Sequence, residues 1–263
     1  MAPSDPSPPD PAPPPDNVVA FPPLPAASPP RRVRFLDLVA FALVLGGGIF
    51  VASIAAMAWL GLDRMQAAMA GGGTGDAGAL MVATALCFGV ALPAIGIAVA
   101  RHGRAAPGLL GFAPVHPGWL WRAALMVLAL SVFLDQVVLR ILTAIFGDLK
   151  MSVGDMVAAM TTDTPQALLA VLLIGGLAPL VEELVFRGLV WGWLTGRWGV
   201  RVAIPVSSGL FALAHVEPLH VALVFPIGLL LGWLRWRTGS IWPPIAAHVA
   251  NNAFAVIATW ALG

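Results

Sequence analysis

Residues 177-LAPLVEELVFRGLVWGWL-194 set two adjacent carboxylates, Glu182 and Glu183, and a guanidinium, Arg187, inside an apolar run; no charge occurs from Ala167 to Leu180 or from Gly188 to Leu194. Such a run reads as the middle of a membrane-spanning helix. A charge at that depth costs about 2.5–3.5 kcal/mol on insertion scales and usually marks a functional site. Glu183 and Arg187 are four residues apart, acid before base, and can meet on one helix face. Glu182 lies about 100° further round the axis, outside the best pairing position. The spacing therefore predicts that one carboxylate is held by Arg187 while the other stays available. Pro179 leaves an upstream carbonyl without its partner, and Gly175 and Gly176 lie close by, so the helix is loosened just before the acids. A pair that served packing alone would need only one acid.

The composition around this stretch leaves one comfortable class. Of 263 residues, 59% are hydrophobic and 10% charged, against about a quarter charged in soluble domains. That is the profile of an all-α, polytopic transmembrane helical bundle. Basic residues are scattered between apolar runs with a net charge of +1, so no nucleic-acid partner is indicated. The single cysteine, Cys87, excludes an intrachain disulfide and a cysteine metal cluster, and reads as a packing residue.

In order, residues 1–34 form a Pro-rich tail with thirteen of the 24 prolines before residue 31; extended polyproline II character and disorder are expected there. It has no apolar core behind a basic start and so is not a signal peptide. About seven apolar runs follow: 35–62, 78–100, 119–147, 166–195, 201–216, 219–236 and 241–262. Runs five and six are joined by 216-VEPL-219, which predicts a helical hairpin. The segments 63–77, 101–118 and 148–165 read as linkers or loops, with His102 and His116 solvated. Three regions result: the tail 1–34, N-terminal membrane helices and loops over 35–165, and a C-terminal membrane core over 166–263. With the N-terminus inside, the inner ends collect Arg31, Arg32, Arg34, Arg101, Arg104, Arg122, Arg197, Arg201, Arg235 and Arg237. The outer loops hold Arg64 and Lys150 among Asp63, Asp76, Asp148, Asp155, Asp163 and Glu217. This asymmetry predicts a cytoplasmic N-terminus. Arg235 and Arg237 flank Trp236 and read as an interface anchor; Asp135 and Arg140 read as a structural bridge or a snorkelling pair.

Two further polar pairs occupy apolar runs, each four apart on one face: Phe211 with His215, and His248 with Asn252. Counted from the inner ends at about 1.5 Å per residue, Glu182 and His215 reach similar depths of roughly 20 Å, with His248 and Asn252 comparable or slightly shallower. Residues from three helices can therefore converge on one cavity. A buried Glu near a His can hold and deprotonate water, and His248 with Asn252 suits an oxyanion. That combination is a hydrolase for a carbonyl compound, most simply a peptide bond. A second reading makes Glu182, His215 and His248 ligands for a divalent metal such as zinc, although HExxH is absent. An inert membrane scaffold or immunity protein and a small ion-coupled transporter are the readings from other classes.

The ordered set EExxxR (Glu182, Glu183, Arg187), FxxxH (Phe211, His215) and HxxxN (His248, Asn252) resembles the CPBP family over roughly residues 166–256. That family includes the type II CAAX prenyl endopeptidases, also called the Abi or lysostaphin-resistance-like group. The resemblance implies an intramembrane endopeptidase with Glu182 as general base, His215 positioning the water, His248 and Asn252 forming the oxyanion pocket, and Glu183 and Arg187 in support. The family has been described both as metalloproteases and as glutamate-dependent enzymes; the residues here favour the second, with no required cofactor. Expected partners are membrane lipids and a substrate that is a prenylated C-terminal peptide, a bacteriocin-related peptide or a membrane-protein segment. The expected location is a bacterial inner membrane.

Overall fold

A computed structural model of the chain describes residues 32–61, 63, 77–147, 149 and 152–262. The expectations for the tail up to Arg31, most of the linker 63–77, and Arg64, Asp76, Asp148 and Lys150 lie outside the described residues. Every regular element described is helical.

Two long helices open the bundle, α1 (Phe35–Leu60) and α2 (Ala77–Ala100). They pack as a pair. A turn leads into the short α3 (Ala106–Leu110), and then α4 (Gly118–Phe146) spans run three. After α5 (Ser152–Ala159) comes α6 (Thr164–Trp198), which carries the decisive stretch. The chain closes with α7 (Val200–Leu213), α8 (Pro218–Thr238) and α9 (Trp242–Leu262). Six of these helices are long and apolar enough to cross a membrane, while α7, with 14 residues, is shorter. The expected seven runs are thus six spans and one partial one. As expected from 216-VEPL-219, α7 and α8 form an antiparallel hairpin. α9 packs against both α4 and α6, so it lies inside the C-terminal half.

The segment 148–165 is not simply a loop. Val153, Met156, Val157 and Met160 recur at helical spacing and turn inward from α5 onto Met81, Leu173 and Val256. Nor is His102 solvated. It is buried, with its Nε2 3.1 Å from Oδ2 of Asp37, whose Oδ1 is 2.6 Å from Arg101. Asp37 on α1 is buried as well, so this cluster fastens α1 to the end of α2. His116, by contrast, is exposed and accepts from the Gly118 N–H at 3.1 Å. Cys87 is exposed on α2 rather than packed in a core. In α4, Arg140 donates to Gln136 Oε1 at 2.7 Å and Gln136 donates to Asp135, so the amide mediates the expected bridge on an exposed face.

α6 bears two π-helical turns, Val171–Leu177 and Leu184–Val190. Both have a visible cause. In the first, the Ala178 N–H reaches back five residues to Leu173 O. In that register Ile174 O would need the N–H of residue 179, which is proline and has none. The freed carbonyl is taken from another helix: Asn252 Nδ2 donates to it at 3.3 Å. In the second, the Trp191 N–H goes to Phe186 O and Gly188 O, passing over Arg187 O, and Arg235 Nε donates to that carbonyl at 3.2 Å. Arg235 is thereby a half-buried member of the α6–α8 contact rather than an interface anchor, whereas Trp236 and Arg237 are exposed.

Close approach of α6 to α9 depends on Gly175, where an added Cβ would sit 3.0 Å from Ala253 Cα. At Gly176 the nearest atom would be Val171 O, 3.8 Å away. Gly175→Ala should therefore cost about 1–3 kcal/mol by overpacking against backbone. Gly176→Ala should be neutral or gain up to about 1 kcal/mol through reduced chain entropy. Thermal unfolding of the two detergent-solubilised variants checks this: Gly175→Ala melts below wild type and Gly176→Ala does not.

Candidate active site

The site is built on the middle of α6, where the backbone alternates between α and π turns. Glu183 and Arg187 form the ion pair expected from their spacing, Oε1 to Nη1 at 3.0 Å, with both side chains fully buried. Arg187 Nη2 donates across to Gly228 O on α8 at 2.9 Å. Gly228 also lets α7 pack closely on α8: a Cβ there would lie 3.2 Å from both Phe211 Cδ1 and Ser208 Cβ. On the other side, His248 of α9 places Nδ1 2.9 Å from Glu183 Oε1. One carboxylate oxygen thus gathers a guanidinium and an imidazole, and three helices meet there.

Glu182 takes the other direction. Its side chain keeps 22% of its surface exposed and stands 3.6 Å from His248 Nε2. That separation is beyond a direct hydrogen bond and within the span of one bridging water. The consecutive acids are therefore sorted by helix rotation into a buried one and an open one.

Phe211 is the hub of the aromatic contacts. Its ring lies edge-on to His215 at 5.1 Å and to His248 at 5.4 Å. It also meets Phe186 at 5.4 Å and offers its face to the Arg187 guanidinium, whose Cζ is 4.5 Å from the centroid. His215 Nδ1 is 3.0 Å from Phe211 O. A carbonyl can only accept, so Nδ1 carries the proton and Nε2 of the neutral ring has a free lone pair. His248 is oriented the same way, with Nδ1 on a carboxylate and Nε2 turned to Glu182.

His215 ends in a tight reversal. The Glu217 N–H closes onto His215 O at 2.7 Å around Val216, whose φ of 64° is the one positive value at a non-glycine residue among those described. A β-branched residue there is strained, and such strain gathers at functional sites.

All seven motif residues, Phe211 included, fall within this region. Glu182 stands nearest His248 among the ion pairs of the site, and none is formed between residues 182 and 215. Asn252 spends one N–H on Ile174 O, leaving its second amide hydrogen. No three His, Cys, Asp or Glu side chains among the described residues are arranged to hold a metal ion. Three contributors escaped the sequence reading. Gly228 and Arg235 act through backbone contacts that leave no spacing signal, and His220, whose ring lies 4.6 Å from that of His215, stands alone in run six.

The fold and this polar core define an integral membrane protein of polytopic helical type. Residues 164–254 match the family model for Rce1-like proteins, described as type II CAAX prenyl endopeptidase Rce1-like. The match covers the same helices as the three motifs. Among curated proteins, the chain is 32% identical over 96 residues to YdiL of Bacillus subtilis, named as a membrane peptidase, covering 36% of this chain and 39% of that one. It is 32% identical over 141 residues to the membrane-embedded CAAX protease MroQ of Staphylococcus aureus, covering 51% of this chain and 56% of that one. An uncharacterized 24.3 kDa protein of Escherichia coli is 33% identical over 98 residues, 35% of this chain and 45% of its own. The chain thus aligns with only about two fifths to just over half of these relatives. No solved structure matches it.

The two acids should behave oppositely on substitution. Glu183→Gln or Arg187→Met strips one member of a buried pair and should cost about 3–5 kcal/mol. Glu182→Gln breaks no direct hydrogen bond and should leave the melting temperature within a few degrees of wild type. Differential scanning fluorimetry of the purified variants checks the contrast, which reverses if Glu182 is the structural acid.

Proposed function

We propose that this protein is an intramembrane endopeptidase in which Glu182 activates a water molecule. One observation carries the reading: of two neighbouring acids, only Glu182 is open, and it stands 3.6 Å from an imidazole nitrogen whose partner nitrogen is already fixed. The water is held by Glu182 and by the free Nε2 lone pair of His215. Its oxygen attacks the peptide carbonyl carbon as its proton passes to Glu182. The carbonyl electrons move to oxygen, giving a tetrahedral oxyanion that accepts from the second N–H of Asn252 and from His248 Nε2. Donation by that nitrogen requires the imidazolium, whose charge balances the one left over from two carboxylates and one guanidinium. Collapse expels the amine, which takes its proton from Glu182.

Glu183 and Arg187 do not touch the reacting atoms in this scheme; they hold His248. The substrate is a peptide or membrane-protein segment, including lipidated ones, reached from the bilayer. The excess of arginine at one end of the bundle supports a cytoplasmic N-terminus, in keeping with a bacterial inner membrane.

Glu182→Gln should lower cleavage by about 10²–10⁴-fold, the usual share of a general base. Proteomic comparison of membranes carrying wild type or Glu182→Gln should reveal new peptide termini in wild type alone; identical termini would defeat the reading. Full cleavage should persist after prolonged chelation. Loss that zinc restores would move the water onto a metal held by Glu182, His215 and His248.

A further inference from the structure

At the arginine-rich end of the bundle, well away from Glu182, lies a cavity of about 300 Å³ bounded by Arg32, Val33, Leu109, Trp191, Gly192 and Arg235. Trp191 is nine positions beyond Glu182 on α6, which at about 1.5 Å per residue puts the cavity over 10 Å nearer the end of the bundle. Its hollow follows from α6 presenting glycines at 192 and 196. A Cβ at Gly192 would come within 2.7 Å of Val33 Cγ2, and one at Gly196 would be 3.4 Å from Arg32 Cδ. The segment before α1 can therefore lie along α6 and still leave space.

Two arginines line this space, and among the described residues no carboxylate does. One N–H of each is committed to backbone: Arg32 Nη1 to Gly196 O at 2.8 Å, and Arg235 Nε to Arg187 O at 3.2 Å. Neither forms an ion pair among the described residues. Arg235 is further braced with its Cζ 5.8 Å from the Trp191 centroid and its guanidinium over Gly111, whose φ of 92° only glycine holds easily. The Thr195 hydroxyl is already donated to Trp191 O, so it is not a free ligand. A half-buried, pre-positioned guanidinium without a counter-charge, facing a second one across a cavity, is an anion site by chemistry.

We propose that this cavity binds a phosphate-bearing anion. Its place at the basic end of a membrane bundle, and a volume larger than bare phosphate needs, fit the headgroup of an anionic phospholipid; basic pockets between membrane helices take such headgroups. The site is separate from the peptidase reading and stands without it.

The test is native mass spectrometry of the full chain in detergent, titrated with dioctanoyl phosphatidylglycerol or dioctanoyl phosphatidylcholine. Wild type should retain the anionic lipid preferentially. Arg32→Gln and Arg235→Gln should each weaken retention by about tenfold through loss of a charge-assisted contact, while Arg237→Gln, an exposed neighbour outside the cavity, should change it less than about twofold. Arg235→Gln also removes a bond to Arg187 O, so if it fails to fold, Arg32→Gln decides. Inorganic phosphate that displaces the lipid at equal concentration identifies free phosphate as the occupant. Failure to displace identifies the headgroup; both results uphold the site. Equal retention of the two lipids, or an Arg237→Gln effect as large as that of Arg32→Gln, overturns it. Loss of peptide cleavage in Arg32→Gln with lipid retention unchanged would assign the cavity to substrate and also overturn it.

Discussion

The C-terminal bundle is organised by one carboxylate that water does not reach. Glu183 Oε1 receives Arg187 and His248 together, and Arg187 carries the connection onward to Gly228 O. Removing these groups from water costs several kcal/mol for each ion, and the pairing is worthwhile only with close geometry on every side. Glu183 Oε2 and Arg187 Nε are buried with no protein hydrogen-bond partner among the described residues. A cluster that served stability alone would be better replaced by apolar side chains. What the pair supplies instead is orientation: α6, α8 and α9 can meet in one register only, and His248 can present one nitrogen only.

The π turns of α6 extend the same logic to the backbone. A membrane interior tolerates irregular backbone only where its polar groups find partners within the protein. Each turn releases one carbonyl, and each is met by a side chain from a later helix, Asn252 at Ile174 and Arg235 at Arg187. The irregularities are therefore docking points rather than defects. They also shift the helical phase on both sides of the acids, which is how Pro179 comes to matter for where Glu182 looks.

Much of this was legible in the chain because the signals were local. The i, i+4 spacing of Glu183 and Arg187 fixed their pairing, Pro179 announced a free carbonyl, and the apolar runs marked the spans. What escaped were contacts that depend on two distant segments meeting. Asp37 carries no spacing signal, and His102 read as a loop histidine; their contact appears only where α1 and α2 pack. Depth counted at about 1.5 Å per residue put Glu182 and His215 at one level, but it carried no information on which imidazole lies within 4 Å of Glu182, which is that of His248. Arg235 read as an interface anchor because it flanks Trp236 together with Arg237; its own partner is a carbonyl 48 residues away.

Arg187 joins the two polar regions of the molecule by both of its faces. Its guanidinium holds the buried acid and its carbonyl holds Arg235, so the polar core and the basic end share a single residue of α6. The two bonds make different demands. The first has the side chain extended across to the Gly228 carbonyl on α8; the second uses a carbonyl that the second π turn has released from the Trp191 N–H. A regular α-helix would close Arg187 O onto Trp191 N–H, so Arg235 would share that oxygen instead of having it alone. The irregular turn that follows the acids is thus what allows a cation at the boundary of the bundle to be anchored one helical turn from the open carboxylate's buried neighbour.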